Sequence, residues 1–310
     1  MEIIVERGCG LDVHQELVVG TVMGTGLEKE TRTYRTMTGE LEQLRGWLKE
    51  KGVTHVAMES TGIYWKPVFN VLEENFEVIL VNARHIKNVP GRKTDVSDSE
   101  WLCKLLRAGL VKGSFIPEKG MRELRDLTRY KKKLVQAISA EKNRVQKVLE
   151  DANIKLSSVT TNVFGVSGSE IIEELIKGEL TVEEMAGLAK GRLRKKNDEL
   201  RKALEGHFRE HHKFMIKMSL EHIKSMEKLI AELDVAIDKH LEKYKQEQEL
   251  LQTIPGVKEQ TSATIIAEIG VDMERFPSEE HLSSWAGMSP GNNESAGKKK
   301  VEKPLLETRV

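Results

Sequence analysis

The sequence predicts an α/β domain followed by long helices and a second compact helical segment. Three observations support this fold class. Before Pro117, short apolar segments alternate with segments of helical spacing. After Pro117 the strand-like segments disappear, and apolar residues recur at intervals of three, four and seven. From Leu250 onward, a Pro-Gly turn separates two further helical patterns. The predicted domains are therefore 1–117, 118–249 and 250–310.

The first domain is predicted to contain eight elements in the order β-β-β-α-β-α-β-α. Its strands are enriched in Val and Leu, and its helices place apolar residues three or four apart. Thr38 is the expected N-cap of the first helix. Strands interleaved with helices predict a sheet covered by helices. The predicted strands are 10–14, 17–23, 31–36, 54–58 and 76–81, and the predicted helices are 41–51, 63–74 and 95–110.

The middle of the chain is predicted to form two long helices, over 119–150 and within 197–250. Leu134 and Ile138 belong to the narrow apolar seam of the first, and Met226 and Leu233 to that of the second. Two long helices around a turn predict an antiparallel coiled-coil arm, with an ordinary helical bundle as the alternative. The next stretch, LLQTIPGVKEQTSATIIAEIG, resembles a helix-hairpin-helix, whose turn presents backbone N–H groups to a DNA phosphate. A plain αα-hairpin is the alternative there.

The composition is that of a globular protein without a membrane span or secretory signal. Hydrophobic residues make up 39% and charged residues 32%, and no apolar run approaches the roughly 18 residues of a membrane helix. The N-terminal sequence lacks a basic region followed by an apolar stretch, so we expect a cytoplasmic protein. Cys9 and Cys103 are too few for a disulfide framework or a cysteine zinc site.

The 49 basic and 49 acidic residues cancel, so net charge alone does not indicate a nucleic-acid-binding protein. The placement of charge is more informative than its sum. Basic residues cluster at 131–133, 192–196 and 298–300, whereas acidic residues dominate 170–184. A run of like charges is most often a solvated surface, so each cluster alone is weak evidence.

Four carboxylates are candidates for a metal-dependent nuclease site. Asp12 lies on the first predicted strand, Glu59 ends the fourth, and Asp95 and Asp98 lie three apart on one helical face. In this order of elements the first and fourth strands are expected to be neighbours, with the last helix packed over them. Magnesium prefers such hard oxygen ligands, and clustered carboxylates would repel one another without a cation. Chance placement among 49 acidic residues is the alternative. His14 and His85 are weaker candidates, because each is more often a surface or supporting histidine.

Several motifs together resemble the transposases of the IS-one-ten (DEDD) family of bacterial insertion sequences. They are GLDVHQ, AMESTGIYWKP, VNARHIKNVPGRKTDVSDSEWL, NVFGVSG, GRLRKK, IPGV and LSSWAGMSPGNNESAGKKK. The match runs from about residue 8 to residue 300 in the family's order. The resemblance implies a ribonuclease H-like (Holliday-junction-resolvase-like) N-terminal domain. It also implies a coiled-coil connection and a C-terminal transposase domain.

The resemblance further implies residue roles and partners. The acidic quartet maps onto Asp12, Glu59, Asp95 and Asp98, which would bind Mg²⁺ or Mn²⁺. A serine nucleophile maps onto Ser295 in SAGK, with Ser289 as the second choice. In the family, the acidic site of one subunit meets the serine of another, so a homo-oligomer (dimer or tetramer) is implied. A structured RNA encoded by the element would pair with DNA and guide recombination.

From the residues alone, Ser295 lies in a Gly- and Asn-rich stretch where turn chemistry is the usual reading. The family continues beyond SAGK with helical sequence, whereas this chain ends in KKKVEKPLLETRV, so we expect a truncated C-terminal domain with impaired recombination. Two alternatives to a recombinase remain open. One is a structure-selective, metal-dependent nuclease, and the other is a decayed transposase that retains only nucleic-acid binding or dimerisation.

Overall fold

The computed structural model describes residues 4–60, 62–82, 97–288, 294–295 and 298–299. The chain forms two compact units. The first comprises Met1–Ile116 with Phe276–Val310, and the second comprises Pro117–Arg275. Within the described ranges, no helix is both long and apolar enough to cross a membrane.

A five-stranded sheet forms the centre of the first unit. Its strands are β1 (Arg7–Val13), β2 (Leu17–Gly24), β3 (Leu27–Arg35), β4 (His55–Glu59) and β5 (Glu77–Val81). The spatial order is β3-β2-β1-β4-β5. The first three strands form an antiparallel meander, whereas β4 pairs in parallel with both β1 and β5. This mixed sheet confirms the predicted α/β class and fits a ribonuclease H-like domain.

Helices cover both faces of this sheet. On one face, α1 (Thr38–Glu50) and α2 (Trp65–Leu72) place Leu44 and Leu72 in a core with Leu11 of β1. On the other face, α3 (Asp98–Arg107) packs Leu105 against Ala57 of β4. The strands β4 and β5 therefore alternate their side chains between two apolar layers, as expected for a covered sheet.

The prediction that Thr38 caps α1 was wrong. Thr38 is the first residue of the helix, and Met37 occupies the N-cap position. The Met37 carbonyl accepts the N–H groups of Glu40 and Leu41, both at 3.0 Å. The helix therefore begins one residue earlier than the N-cap rule predicted.

Two long helices, α4 (Lys119–Asp151) and α9 (Glu210–Leu241), run antiparallel in the second unit. Leu124 near the start of α4 packs with Ile237 near the end of α9, and Val145 near the end of α4 shares a cluster with Ile216. The shorter helices are α5 (Leu156–Val159), α6 (Val166–Lys177), α7 (Val182–Gly187), α8 (Asn197–Leu204), α10 (Lys245–Gln252) and α11 (Glu259–Ile269), with 3₁₀ helices at Gly191–Lys196, Glu242–Tyr244 and Met273–Arg275.

Buried charges attach α11 to α4. Arg125 donates from Nε to the Ala267 carbonyl at 3.1 Å and from Nη2 to the Glu268 carbonyl at 2.7 Å. Arg129 forms a two-pronged bond with the Glu268 carboxylate at 2.8 and 2.9 Å. Arg125 thus satisfies two carbonyls at the C-terminal end of α11, where no further helical turn supplies donors, and Arg129 neutralises the Glu268 side chain.

The C-terminal part of the first unit begins with an aromatic cluster. Phe115, Phe276 and Trp285 lie with ring centroids 5.8 to 6.3 Å apart in edge-to-face arrangements. Trp285 ends α12 (Glu279–Trp285). Two short strands follow, β6 (Glu294–Ser295) and β7 (Lys298–Lys299), which pair antiparallel. The cluster therefore joins the residues after Phe276 to the end of the N-terminal segment.

Candidate acidic site

Asp12 and Glu59 lie at the ends of two neighbouring parallel strands. The ladder between β1 and β4 pairs Gly10 with Ala57 and Leu11 with Met58. One further step of this register brings Asp12 beside Glu59. Side chains alternate between the two faces of a sheet, so both carboxylates lie on the face opposite the buried Leu11 and Met58.

The α3 helix covers this same face and approaches β1 very closely. A Cβ placed on Gly10 would lie 2.1 Å from the carbonyl oxygen of Ser99 and 2.5 Å from the Cys103 nitrogen. The Cys103 thiol donates to the Gly8 carbonyl at 3.2 Å. Ser99 therefore lies over Gly10 and Cys103 over Gly8, so α3 runs antiparallel to β1. Asp98, the first residue of α3, consequently lies at the Asp12 end of the strand.

A buried pair of hydroxyl groups fixes this end of α3. Ser99 Oγ lies 2.8 Å from Oγ1 of Thr21, which pairs with Gly10 across the β1–β2 ladder. Both side chains are almost completely buried. Ser97 caps the helix by accepting the Glu100 N–H at 3.3 Å. These contacts set where the first turn of α3, with its carboxylates, meets the sheet.

Glu100, also in the first turn of α3, is neutralised by two lysines. Its carboxylate bonds to Lys104 at 2.7 Å and to Lys29 at 2.9 Å. These ammonium groups lower the pKa of the Glu100 carboxyl. Glu100 therefore anchors α3 to β3 and is a poor candidate for metal binding.

Asp12 is partly accessible, with 26% of its side chain exposed. Its Oδ2 bonds to Nε2 of His14 at 3.1 Å, and the His14 ring is 62% exposed. A carboxylate at the rim of the sheet with one histidine partner retains access to solvent. Within the described ranges, no group of three or more His, Cys, Asp or Glu side chains is arranged to hold a metal ion.

The other predicted site residues are placed only in part. Asp95, His85 and Ser289 lie outside the described residues. Ser295 belongs to β6, where its backbone pairs with Lys298 of β7. The structure thus brings Asp12, Glu59 and the start of α3 to one face of the sheet, and the four-carboxylate site with its serine stays a prediction.

Three residues that support this face were missed from the sequence: Gly10, Thr21 and Ser99. Gly10 had a readable signal, because a glycine inside a strand often marks a close approach of another backbone. Thr21 and Ser99 had none, since neither residue type is unusual on a strand or in the first turn of a helix.

Comparison with known proteins relates this chain to transposases. A model of the IS110 DEDD type, described as Transposase, matches residues 9–154. A second, described as Transposase IS116/IS110/IS902 family, matches residues 248–305. The first range includes Asp12, Glu59, Asp95 and Asp98, and the second includes Ser289 and Ser295.

The comparisons with curated proteins and with solved structures give little information about this chain. No curated protein matches the chain. Among solved structures, the chain is similar to RuvC of T. thermophilus in complex with a Holliday junction substrate, with 11% sequence identity and a TM-score of 0.26. That match covers 35% of this chain and 99% of RuvC.

Proposed function

The two family matches support an IS110-family transposase, and from this premise we propose that the chain cuts and rejoins DNA through Asp12, Glu59, Asp95 and Asp98. The observation that carries the proposal is the register of β1 and β4, whose last pair, Leu11 with Met58, directly precedes Asp12 and Glu59 in the two strands. The start of α3, with Asp98, covers the same face. Asp95 precedes α3 by only a few residues, so the chain is short enough for it to join them.

The proposed residues have the chemistry that a divalent cation such as Mg²⁺ or Mn²⁺ requires. Carboxylate oxygens are the ligands that Mg²⁺ prefers, together with phosphate and water. Asp12 fits because it is partly exposed at the rim of the sheet rather than buried in either apolar layer. When bound, such a cation stabilises negative charge that develops on phosphate oxygens during strand cleavage. His14 would orient the Asp12 carboxylate through its Nε2.

Ser295 is the proposed nucleophile, with Ser289 as the second choice. Its hydroxyl oxygen would attack a phosphodiester phosphorus, forming a serine–phosphate ester and breaking the bond to one sugar oxygen. The serine proton would pass to a base, and the departing sugar oxygen would take up a proton. Attack of a strand hydroxyl on the ester would then rejoin DNA and release the serine. Lys298 to Lys300 add positive charge that would attract the phosphate.

The proposed assembly contains more than one subunit and an RNA. In a homo-oligomer, the acidic site of one subunit would act with the serine of another. A structured RNA encoded by the same element would choose donor and target DNA by base pairing, as in other RNA-guided systems. The antiparallel helices α4 and α9 would form a coiled-coil arm that connects the predicted catalytic domain, 1–117, with the predicted C-terminal domain, 250–310.

Strand cleavage by carboxylate and serine variants tests the proposal. With supercoiled DNA carrying the element ends, the structured RNA of the element and magnesium, Asp12→Asn and Glu59→Gln should lose about 100-fold or more in cleavage rate, an effect of the size expected for a group that stabilises the transition state. Glu28→Gln provides the matched control, since Glu28 is an exposed carboxylate on β3. Cleavage that is unchanged in Asp12→Asn would contradict the acidic site.

The serine is tested separately through the covalent adduct. The parent chain should yield a protein–DNA ester that survives denaturation, and Ser295→Ala should not. If Ser295→Ala retained the adduct and Ser289→Ala lost it, the nucleophile would be Ser289. Cleavage without any adduct would instead support a metal-dependent nuclease.

A further inference from the structure

A short 3₁₀ helix in the second unit carries a concentrated positive charge. It spans Gly191–Lys196, and its Arg192, Arg194, Lys195 and Lys196 side chains are exposed. We propose that this segment, here called the basic turn, binds the phosphodiester backbone of a nucleic acid. The inference rests on the proposed function only in taking nucleic acid as the class of partner.

The backbone of the basic turn is held at both ends. Before it, the Lys190 N–H donates to Ser167 Oγ at 2.9 Å, which joins the turn to the first turn of α6. After it, Asn197 Nδ2 donates to the Ala186 carbonyl at 3.0 Å. Within it, Leu193 is half-buried and packs against the apolar cluster of the second unit. A backbone fixed in this way loses little conformational entropy when a ligand binds.

Two cations of the basic turn lie on one side of it. Side chains three residues apart in a 3₁₀ helix eclipse one another, and three residues at about 2 Å each separate Arg192 from Lys195 by about 6 Å along the axis. That interval is close to the separation of successive phosphates along a nucleic acid strand. Throughout the described part of the chain, neither Arg192 nor Lys195 has a carboxylate partner. The Arg192 guanidinium can donate two N–H groups to one phosphate, and the Lys195 ammonium attracts a neighbouring phosphate as a point charge.

The surrounding sequence leaves this charge largely uncompensated. Residues 190–202 contain seven basic and two acidic residues. Two of the seven form ion pairs, Lys190 with Glu170 and Arg201 with Glu183. The five that remain are Arg192, Arg194, Lys195, Lys196 and Lys202. A chain of zero net charge thus concentrates positive charge where it could meet phosphates.

A phosphate backbone fits the basic turn better than a protein partner does. The buried centre of a protein interface is depleted in charge and enriched in aromatic side chains. The turn, all of which is described, presents cations and keeps Leu193 half-buried. Charge without an apolar centre is the composition that backbone-directed nucleic-acid binding needs.

Salt-dependent binding of the full chain tests this inference. The variant carries Arg192→Gln and Lys195→Gln together, and binding is measured by fluorescence anisotropy in EDTA. The probes are a labelled DNA duplex and an RNA duplex of the same sequence. Loss of two phosphate contacts should reduce the slope of log K against log salt by about 1.8 for DNA. Affinity at 0.1 M salt should fall on the order of 10- to 100-fold, as that slope change implies.

The matched control carries Lys224→Gln and Lys228→Gln on the exposed side of α9, which changes net charge by the same amount. This control should keep the parent slope. A slope reduction with DNA only, RNA only or both supports the inference and identifies the source of the phosphates. An unchanged slope with both probes, or an equal reduction in the control, overturns it.

Two features of the design distinguish a loss of nucleic-acid binding from misfolding and from a loss of cleavage. The charge-conserving variant Arg192→Lys with Lys195→Arg keeps both positive charges and should keep the parent slope of log K against log salt, and a reduced slope in this variant would overturn the inference. The binding test needs no metal and no cleavage, so its outcome does not depend on the activity of the proposed acidic site. A chain that does not cleave DNA would contradict the proposed transposase activity, whereas an unchanged salt slope in the binding test would contradict the role of the basic turn.

Discussion

Gly10 of β1 lies so close to Ser99 of α3 that a Cβ on Gly10 would be 2.1 Å from the Ser99 carbonyl oxygen. Real Cβ atoms essentially never approach that closely. The contact is between two backbones, so no side-chain rotation can relieve it. The absence of a side chain at Gly10 therefore allows α3 to lie on β1, with Asp98 at the Asp12 end.

Replacing Gly10 should disturb both stability and the candidate site. Gly10→Ala must displace α3, and overpacking of this kind costs at least about 1–3 kcal/mol of the free energy of unfolding. DNA cleavage should fall as well, because Asp98 moves with the start of α3. Gly46→Ala is the control, since its Cβ meets nothing within 4 Å inside α1, and alanine should stabilise that helix by up to about 1 kcal/mol. Urea unfolding that ranks the two variants equally would contradict the close contact.

The buried pairing of Glu268 with Arg125 and Arg129 should stabilise the second unit. Glu268→Ala leaves the Arg125 guanidinium, only 9% exposed, without its carboxylate, and breaking a buried pair typically costs about 3–5 kcal/mol. The exposed pair of Arg275 and Asp272 is the comparison. Asp272→Asn should cost less than about 1 kcal/mol, because solvent screens a surface pair. If both variants lost the same free energy of unfolding in denaturant, burial would not strengthen the contribution of the Glu268 pair to stability.

Burial of His212 should matter at the junction of α4 and α9. Its Nδ1 accepts the Arg209 N–H at 3.0 Å, so the neutral ring carries its proton on Nε2 and donates to Asp151 at 2.9 Å. His212→Ala removes both bonds and leaves a cavity, with an expected loss of about 2–4 kcal/mol. The neighbouring His211 is exposed, so His211→Ala should change stability by less than about 0.5 kcal/mol. Thermal unfolding of the two variants side by side checks this difference.

Cys103 should make the fold sensitive to alkaline pH. Burial raises the pKa of its thiol to about 11, from an ordinary value of 9.0. A raised pKa means that the folded state retains a proton that the unfolded chain has already lost. Its contribution to stability is therefore complete below pH 9.0 and declines as the pH rises towards about 11.

The measurement compares the parent with Cys103→Ala at pH 8 and again near pH 10.5. The cavity left by the substitution acts at both pH values and cancels in the comparison. The parent should lose about 2 kcal/mol more than the variant over this interval. Parallel pH dependence of the two proteins would show that the thiol does not titrate in this way.

Much of the local structure could be predicted from the sequence, because periodicity and turn chemistry act over short distances. Short apolar segments enriched in Val and Leu predicted the five strands, and intervals of three and four predicted α4 close to its observed bounds. The run 197–250 was harder. The structure interrupts it after α8, where a Cβ on Gly206 would lie 2.4 Å from the Ala152 carbonyl oxygen. That break depends on a segment more than fifty residues away.

The acidic residues were identified from strand order and from family motifs, whereas their arrangement depended on the tertiary structure. By itself, the sequence determined most of the strands and helices of the first domain, and it placed Asp12 on the first strand and Glu59 at the end of the fourth. Only the folded chain decided that β1 and β4 are in register, that Gly10 admits α3, and that Thr21 meets Ser99 across 78 positions. The reason is physical: backbone periodicity is set by neighbouring residues, but close approach between elements requires space that distant residues leave.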